Sequence, residues 1–303
     1  MTSCDSKTTS AAPTRPVRID ALLRAGMTRS FEFFPPKSDE EATTLAATLA
    51  DLVPLHPSFV SVTYRGGRES RQRTYDLVTQ LQSEGRLTPM AHVICVGHSR
   101  AEMTEILGRY RDAGVENVMA LGGDLPEGGE ATRELTYAID LVELARRVGA
   151  FSIGVAAHPD GHPRSTSRAS DRRHLAAKLA VADFAVTQFF FELEQWTHLV
   201  EEVGALGVTK PILPGIMPVT TLSGIERMAA MGGRVPAGLA TRLEDAHVRG
   251  GPAAVRAEGV AAATELCEAL LDAGAPGLHF YTLNRSTATR EIYDALFDAR
   301  ERT

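Results

Sequence analysis

Eight short runs rich in β-branched and aromatic residues recur along this chain, and a longer helix-like stretch follows each of them. The runs occupy residues 29–34, 58–64, 89–95, 116–121, 151–157, 184–190, 211–217 and 277–282. Each has strand length and strand composition, with turn formers nearby. Amphipathic stretches lie between them at 39–53, 71–84, 100–113, 133–149, 169–182 and 194–206, many preceded by a Ser, Thr or Asp suited to cap a helix. A longer helical region spans 223–274, and 287–299 closes the chain. Eight strand–helix units are what closure of a (β/α)8 TIM barrel requires, so the pattern predicts a single-domain α/β barrel. A doubly wound open sheet is the main competitor. It is disfavoured because no GxGxxG follows an early strand and no GxxxxGK[ST] occurs.

The barrel is expected over residues 17–303, after a flexible tail over 1–16, MTSCDSKTTSAAPTRP, which lacks the apolar core of a secretory signal. No apolar run approaches the length of a membrane span. A composition of 44% hydrophobic and 23% charged residues supports a large buried core. The net charge of −6 offers no general attraction to nucleic acid or an anionic membrane. Neither is therefore expected as a partner. Cys4, Cys95 and Cys267 are widely spaced and form no CxxC pair, which argues against a disulfide framework or a zinc site and suits a reducing, cytoplasmic compartment.

In a barrel of this kind the chemistry sits at the C-terminal ends of the strands. Read there, the polar residues are Glu32 in the first strand, Thr63 and Tyr64 after the second, His92 in the third and Gly122-Gly123-Asp124 after the fourth. His158 follows the fifth strand, Thr187 and Gln188 end the sixth, and Tyr281, Asn284 and Arg285 belong to the eighth. Glu32 is the most suggestive, because a carboxylate set in SFEFFPP among Phe31, Phe33 and Phe34 loses hydration. Aromatic walls would raise its pKa and let it keep a proton as a general acid. Plain readings compete at each position. Glu32 would face water on an ordinary exposed strand, Asp124 suits a turn, and Gln188 suits a hydrogen-bonded barrel interior as well as a ligand contact. His158 and His162 have metal-pair spacing, but Pro159 and Gly161 disfavour a helix there, so no metal site is expected. The Arg-rich stretch 164–173 reads as a solvated face, and Phe189–Phe191 read as core.

Six stretches carry a family resemblance: SFEFFPPK at 30–37, FVSVTY at 59–64, GGDLP at 122–126, TQFFF at 187–191, PGIMPV at 214–219 and HFYTLNR at 279–285. In order, and over nearly the whole chain after the tail, they resemble the methylenetetrahydrofolate reductases. The resemblance implies a (β/α)8 barrel that reduces 5,10-methylenetetrahydrofolate to 5-methyltetrahydrofolate, usually with hydride from NADH or NADPH passed through bound FAD. It implies Glu32 as the acid that opens the methylene bridge, Asp124 as the pterin partner, Gln188 as an amide shared by folate and nicotinamide, and Arg285 as the cation for the folate glutamate tail. Thr63 corresponds to a nicotinamide-side contact. Tyr64, His92, Gly123, Ala138, His162, Asp171 and Lys178 keep the flavin-side pattern.

The departures from that family gather on the flavin side. Gly122 stands where an arginine is usual, His158 where a tyrosine is common, and His174 and Ala177 where Asn and Arg are expected. The segment between Lys178 and Thr187 is one residue short, with AVADF in place of an Ala-Gly-Ala turn. Each lost charge-assisted bond removes about 1.5–3 kcal/mol of affinity, so FAD is expected to bind at most in trace and NADH or NADPH to reduce the folate directly. An ordinary FAD-dependent reductase and a non-catalytic folate-binding or regulatory protein are the alternatives.

Overall fold

The computed structural model describes residues 17–64, 68–123 and 134–297. Eight parallel strands close a barrel: β1 (Thr28–Phe33), β2 (Phe59–Val62), β3 (Pro89–Ile94), β4 (Asn117–Leu121), β5 (Ser152–Ala157), β6 (Phe184–Phe189), β7 (Ile212–Ile216) and β8 (Gly277–Tyr281). Each strand pairs with its sequence neighbour, and β8 returns to β1 through Glu32↔Tyr281 and the pairs below it. The helices are α1 (Ile19–Ala25), α2 (Asp39–Leu52), α3 (Arg68–Glu84), α4 (Arg100–Asp112), α5 (Ala138–Val148), α6 (Arg168–Val181), α7 (Leu193–Gly204), α8 (Leu222–Ala230), α9 (Ala237–Asp272) and α10 (Thr287–Phe297). Side-chain caps mark several starts. Ser38, Ser99, Ser167 and Thr221 each accept a backbone N–H of the first turn, and Glu102 completes a capping box with Ser99.

The structure corrects the expected helices in two places. The region 223–274 is divided: α8 ends at Ala230, and Gly232 turns the chain at φ 92° before α9 begins. Within α9, Gly250 and Gly251 leave helical geometry, with φ 64° at Gly251, immediately before Pro252. The second correction is α1, a short helix that sequence reading passed over. Seven residues gain little from their own hydrogen bonds, so its position comes from tertiary contacts. Ile19 N–H donates to Asn117 Oδ1 at 2.8 Å and Asp20 N–H to Ser152 Oγ at 3.0 Å. Ile19 is wholly buried against an inner cluster of Phe59, Met90, Met119, Phe184, Val186 and Leu213. α1 thereby closes the N-terminal end of the barrel.

Strand alternation separates two environments. Phe31, Phe33, Val60, Val62, Ala91 and Val93 face outward into the core shared with the helices. Ser30, Glu32, Ser61 and His279 form a buried polar group inside the barrel, whose lower interior is the apolar cluster on α1. At the opposite rim β8 is tied to β1 by Asn284. Its Oδ1 accepts from Phe34 N–H at 2.8 Å and its Nδ2 donates to the Phe34 carbonyl at 2.9 Å. Among the described residues no helix is long and apolar enough to cross a membrane.

Candidate active site

Glu32 is only 7% exposed and is surrounded by polar groups from three neighbouring strands. Thr63 donates its hydroxyl to Oε1 at 3.0 Å, and Ser61 donates to Oε2 at 3.3 Å. His92 Nε2 lies 3.4 Å and His279 Nε2 3.6 Å from Oε2. Thr282 fixes the strand itself by donating to the Glu32 carbonyl at 2.6 Å. Two of the aromatic neighbours in sequence, Phe31 and Phe33, are therefore not walls of this carboxylate, since they face the helices. The expected direction of its pKa is also corrected. Burial pushes the carboxyl up, but the charge of His92, the hydrogen bond and charge of His279 and the Thr63 hydroxyl outweigh burial and hold it below its ordinary value.

The two histidines differ in their surroundings. His279 is fully buried, stacked on Phe59, with Nδ1 2.8 Å from Ser30 Oγ and Nε2 3.4 Å from Ser61 Oγ. Ser30 also lies 3.2 Å from the Leu278 carbonyl. With its hydrogen on that carbonyl, Ser30 accepts from Nδ1–H and leaves Nε2 a lone pair; with its hydrogen on Nδ1, Nε2 carries the proton toward Glu32. His92 has no such anchor at its tip. Its buried Nε2 takes no hydrogen bond, and its approach to Glu32 is a charge contact. Burial pushes its pKa below the usual imidazole range against the opposing pull of Glu32, so the ring is neutral near neutral pH.

Tyr64 belongs to a second hydrogen-bonded set, behind His92. Arg71 Nη1 lies 3.2 Å from His98 Nδ1, and Tyr64 Oη lies 3.3 Å from His98 Nε2. An arginine only donates, so Nδ1 accepts and the proton of neutral His98 resides on Nε2, directed at Tyr64. Burial, then the Arg71 charge, hold His98 below its usual pKa, in keeping with that tautomer.

Gln188 occupies a register irregularity between β6 and β7. Its Nε2 donates to the Met231 carbonyl at 3.0 Å and its Oε1 accepts from Phe189 N–H at 3.0 Å. Beside it, Tyr281 donates its hydroxyl to the Thr187 carbonyl at 2.7 Å, passing so close to Gly215 that a Cβ there would lie 2.5 Å from the ring. Phe189 and Phe190 are buried as core, in agreement with the plain reading of that run. Arg285 is exposed at the rim, where its guanidinium has no partner among the described residues. Asp124 lies outside the described residues, and the structure gives no account of it.

The residues matched to the flavin side are engaged with one another. His158 and His162 meet edge to face with ring centroids 4.6 Å apart. Burial, helped by His162 and Lys178, pushes His158 down to about 4. Asp171 accepts from His162 N–H at 3.1 Å and pairs with the buried Arg172 at 2.9 Å. Lys178 donates to the Ala156 carbonyl at 2.7 Å, and burial brings its pKa down to about 8. His174 and Ala177 are exposed on α6. Gly122 lies near the start of α5, where a Cβ would be 3.7 Å from Ala138 N. Arg164 Nη2 donates to the Gly123 carbonyl at 3.1 Å, bridging the β4 and β5 loops. Sequence reading missed Ser30, Ser61, Arg71, His98 and His279. For Ser30, Ser61 and His279 the available signal was their inward strand parity with Glu32.

Comparison with known proteins bears on the fold and the family. A family model described as methylenetetrahydrofolate reductase matches residues 18–297. The 5,10-methylenetetrahydrofolate reductase of Pectobacterium carotovorum is 35% identical over 279 residues, spanning 91% of this chain and 92% of that protein. That of Escherichia coli K12 is 34% identical over 273 residues, spanning 88% and 90%. Methylenetetrahydrofolate reductase (NADH) 1 of Arabidopsis thaliana is 33% identical over 88% of this chain, which spans 48% of the plant protein. An uncharacterized Clostridium thermocellum protein that binds two copies of 5-methyl-5,6,7,8-tetrahydrofolic acid shares the fold, with a TM-score of 0.67 at 12% identity over 95% of this chain and 100% of that one. The barrel, the buried carboxylate at its mouth and the match along nearly the whole chain lead to one conclusion: the chain belongs to the methylenetetrahydrofolate reductase family.

Proposed function

We propose that this protein reduces 5,10-methylenetetrahydrofolate to 5-methyltetrahydrofolate with NADH or NADPH, by direct hydride transfer and without a flavin step. The observation that carries the reading is Glu32, a buried carboxylate on a barrel strand with both oxygens oriented by hydroxyls, Ser61 of β2 and Thr63 just after it. Glu32 protonates a folate nitrogen, the methylene bridge opens to an iminium ion, and the dihydronicotinamide delivers hydride to the methylene carbon. One proton and one hydride are consumed in each turnover. Thr63 orients the acid and faces the nicotinamide, Gln188 and Asp124 bind folate, and Arg285 at the rim takes the glutamate tail. The name of the plant relative includes NADH, which supports a pyridine nucleotide as donor.

The residues on the flavin side fit FAD poorly. Gly122 and Ala177 bring no hydrogen-bonding side chain, and Arg164 is bonded to the Gly123 carbonyl. A second reading, the FAD-dependent enzyme, draws on Lys178, a half-buried amine held at the Ala156 carbonyl, whose cation an anionic ligand would restore. The visible absorption spectrum of the purified protein, with initial rates measured with and without added FAD, tests the choice. We expect no flavin bands, activity without added FAD, and intersecting initial-rate lines, because both substrates must be bound together. Stoichiometric bound FAD, parallel lines or strict dependence on FAD would establish the second reading instead.

A further inference from the structure

We propose that His92 returns the proton to Glu32 after each turnover, along a route that enters behind β3 rather than through the substrate mouth. The inference rests on the reduction proposed above, which removes one proton from Glu32 in every cycle. In the folded chain this carboxylate is already 7% exposed, and a folate bound for proton transfer covers the opening that remains. While folate covers it, reloading needs another way in.

Glu32 is faced by three titratable groups, His92 from β3 and His279 and Tyr281 from β8, together with the hydroxyls of Ser61 in β2 and Thr63 just after it. Tyr281 is unsuited, because its hydroxyl proton is given to the Thr187 carbonyl and burial, followed by the Glu32 charge, raises its pKa well above the ordinary phenol value. His279 is unsuited for a different reason. It is fully buried, both ring nitrogens face serines, and Phe59 covers it, so it has no contact with water. His92 differs on each count. Its Nε2 is unbonded, points at Glu32 Oε2 from 3.4 Å, and belongs to a ring that also lines a crevice with Tyr64, Arg71, Thr74 and His98. The crevice holds about 10 Å³, close to the smallest space that admits one water molecule. His98, half-buried at its outer side, directs its Nε2 proton at Tyr64 and leaves the Tyr64 hydroxyl hydrogen free to continue inward.

The step balances without electrons moving. The imidazolium Nε2–H bond of His92 breaks, the Oε2–H bond of Glu32 forms, and a charged pair becomes a neutral imidazole and a neutral carboxylic acid. The neutral ring keeps its hydrogen on Nδ1 and its lone pair on Nε2, and Nε2 accepts the next proton, carried by a water molecule of the crevice. A ring kept neutral by burial passes protons without storing them, as this task requires.

The test uses the full chain, NADH and methylenetetrahydrofolate, with His92→Gln and His92→Ala. We expect kcat to fall about tenfold or more in both variants, with the folate KM changed by less than about twofold. Added imidazole should restore kcat in His92→Ala and not in His92→Gln, a response that a packing role would not give. Should neither variant fold, His98→Ala alters only the outer end of the route and should lower kcat at unchanged KM, most strongly at high pH where protons are scarce. Unchanged kcat in the folded variants, or a loss accompanied by raised KM and no imidazole rescue, overturns the route and leaves the reduction standing. An inactive wild-type chain overturns the reduction and this inference with it.

Discussion

Glu32 is surrounded by groups that favour its ionised form, yet the acid role proposed for it requires its proton to be in place when the folate nitrogen arrives. In that proposal the ligand reconciles the two demands, because a bound pterin would exclude water and strengthen the burial penalty, which already pushes this carboxyl up. The Thr63 and Ser61 hydroxyls hold the carboxylate in place through that change. Glu32→Gln keeps the size and these contacts but has no acidic proton. It should lower kcat by about 10²–10⁴-fold with little change in folding or folate binding, measured as NADH oxidation beside substrate titration. Near-normal turnover would remove Glu32 from the mechanism. Glu32 itself was legible in the sequence because a carboxylate between phenylalanines is conspicuous. Its environment was not, because strand pairing sends Phe31 and Phe33 away and brings in His92 and His279 from strands remote in sequence.

At the scale of elements, the joint between β8 and β1 decides how the FFPP segment leaves the barrel. Leu283 and Asn284 adopt left-handed backbone at φ 51° and 57°, an uncommon state for residues other than glycine. Asn284 is a residue type that tolerates this conformation, and its amide pairs with both backbone groups of Phe34 as a neighbouring strand would. Thr48 of α2 adds a hydrogen bond to the Asn284 carbonyl at 2.9 Å. Asn284→Ala loses the amide and strains the backbone, so it should destabilise the protein by about 2–4 kcal/mol; Asn284→Gly loses only the amide and should retain about 1 kcal/mol of that. Denaturant midpoints at equal slope would measure both. Equal losses in the two variants would contradict the strain, and no loss in either would contradict the clamp. Elements of this size were unevenly legible. The strand runs stood out because they are β-branched and short, whereas the 231–236 break was hidden inside a helix-like composition. That break depends on Gly232 at φ 92° and on Gly233, where a Cβ would lie 2.0 Å from the Phe189 ring.

Across the whole molecule the barrel divides its labour between two ends. The C-terminal end carries Glu32 and His92 in a buried polar group with Gln188 and Arg285 nearer the rim, and the N-terminal end is an apolar floor sealed by α1. The floor was illegible in sequence because α1 has seven residues and its hydrogen-bond partners, Asn117 and Ser152, lie about a hundred residues away in the chain. Ile19 is the only α1 residue that is wholly buried, and it closes the cluster of Phe59, Met90, Met119, Phe184 and Leu213. Truncating it to alanine leaves a cavity that a closed ring of strands relaxes into poorly. Ile19→Ala should therefore destabilise by about 2–5 kcal/mol, which corresponds to a Tm lower by roughly 5–15 °C. Its kcat at moderate temperature should stay at the wild-type value, because Ser30, Ser61 and His279 lie between the floor and the acid and keep their own hydrogen bonds. Thermal melting followed through the far-ultraviolet circular dichroism, with rates taken well below the transition, separates the two quantities. A fall in kcat without a fall in Tm would mean that the floor reaches the acid and that the two ends are not independent.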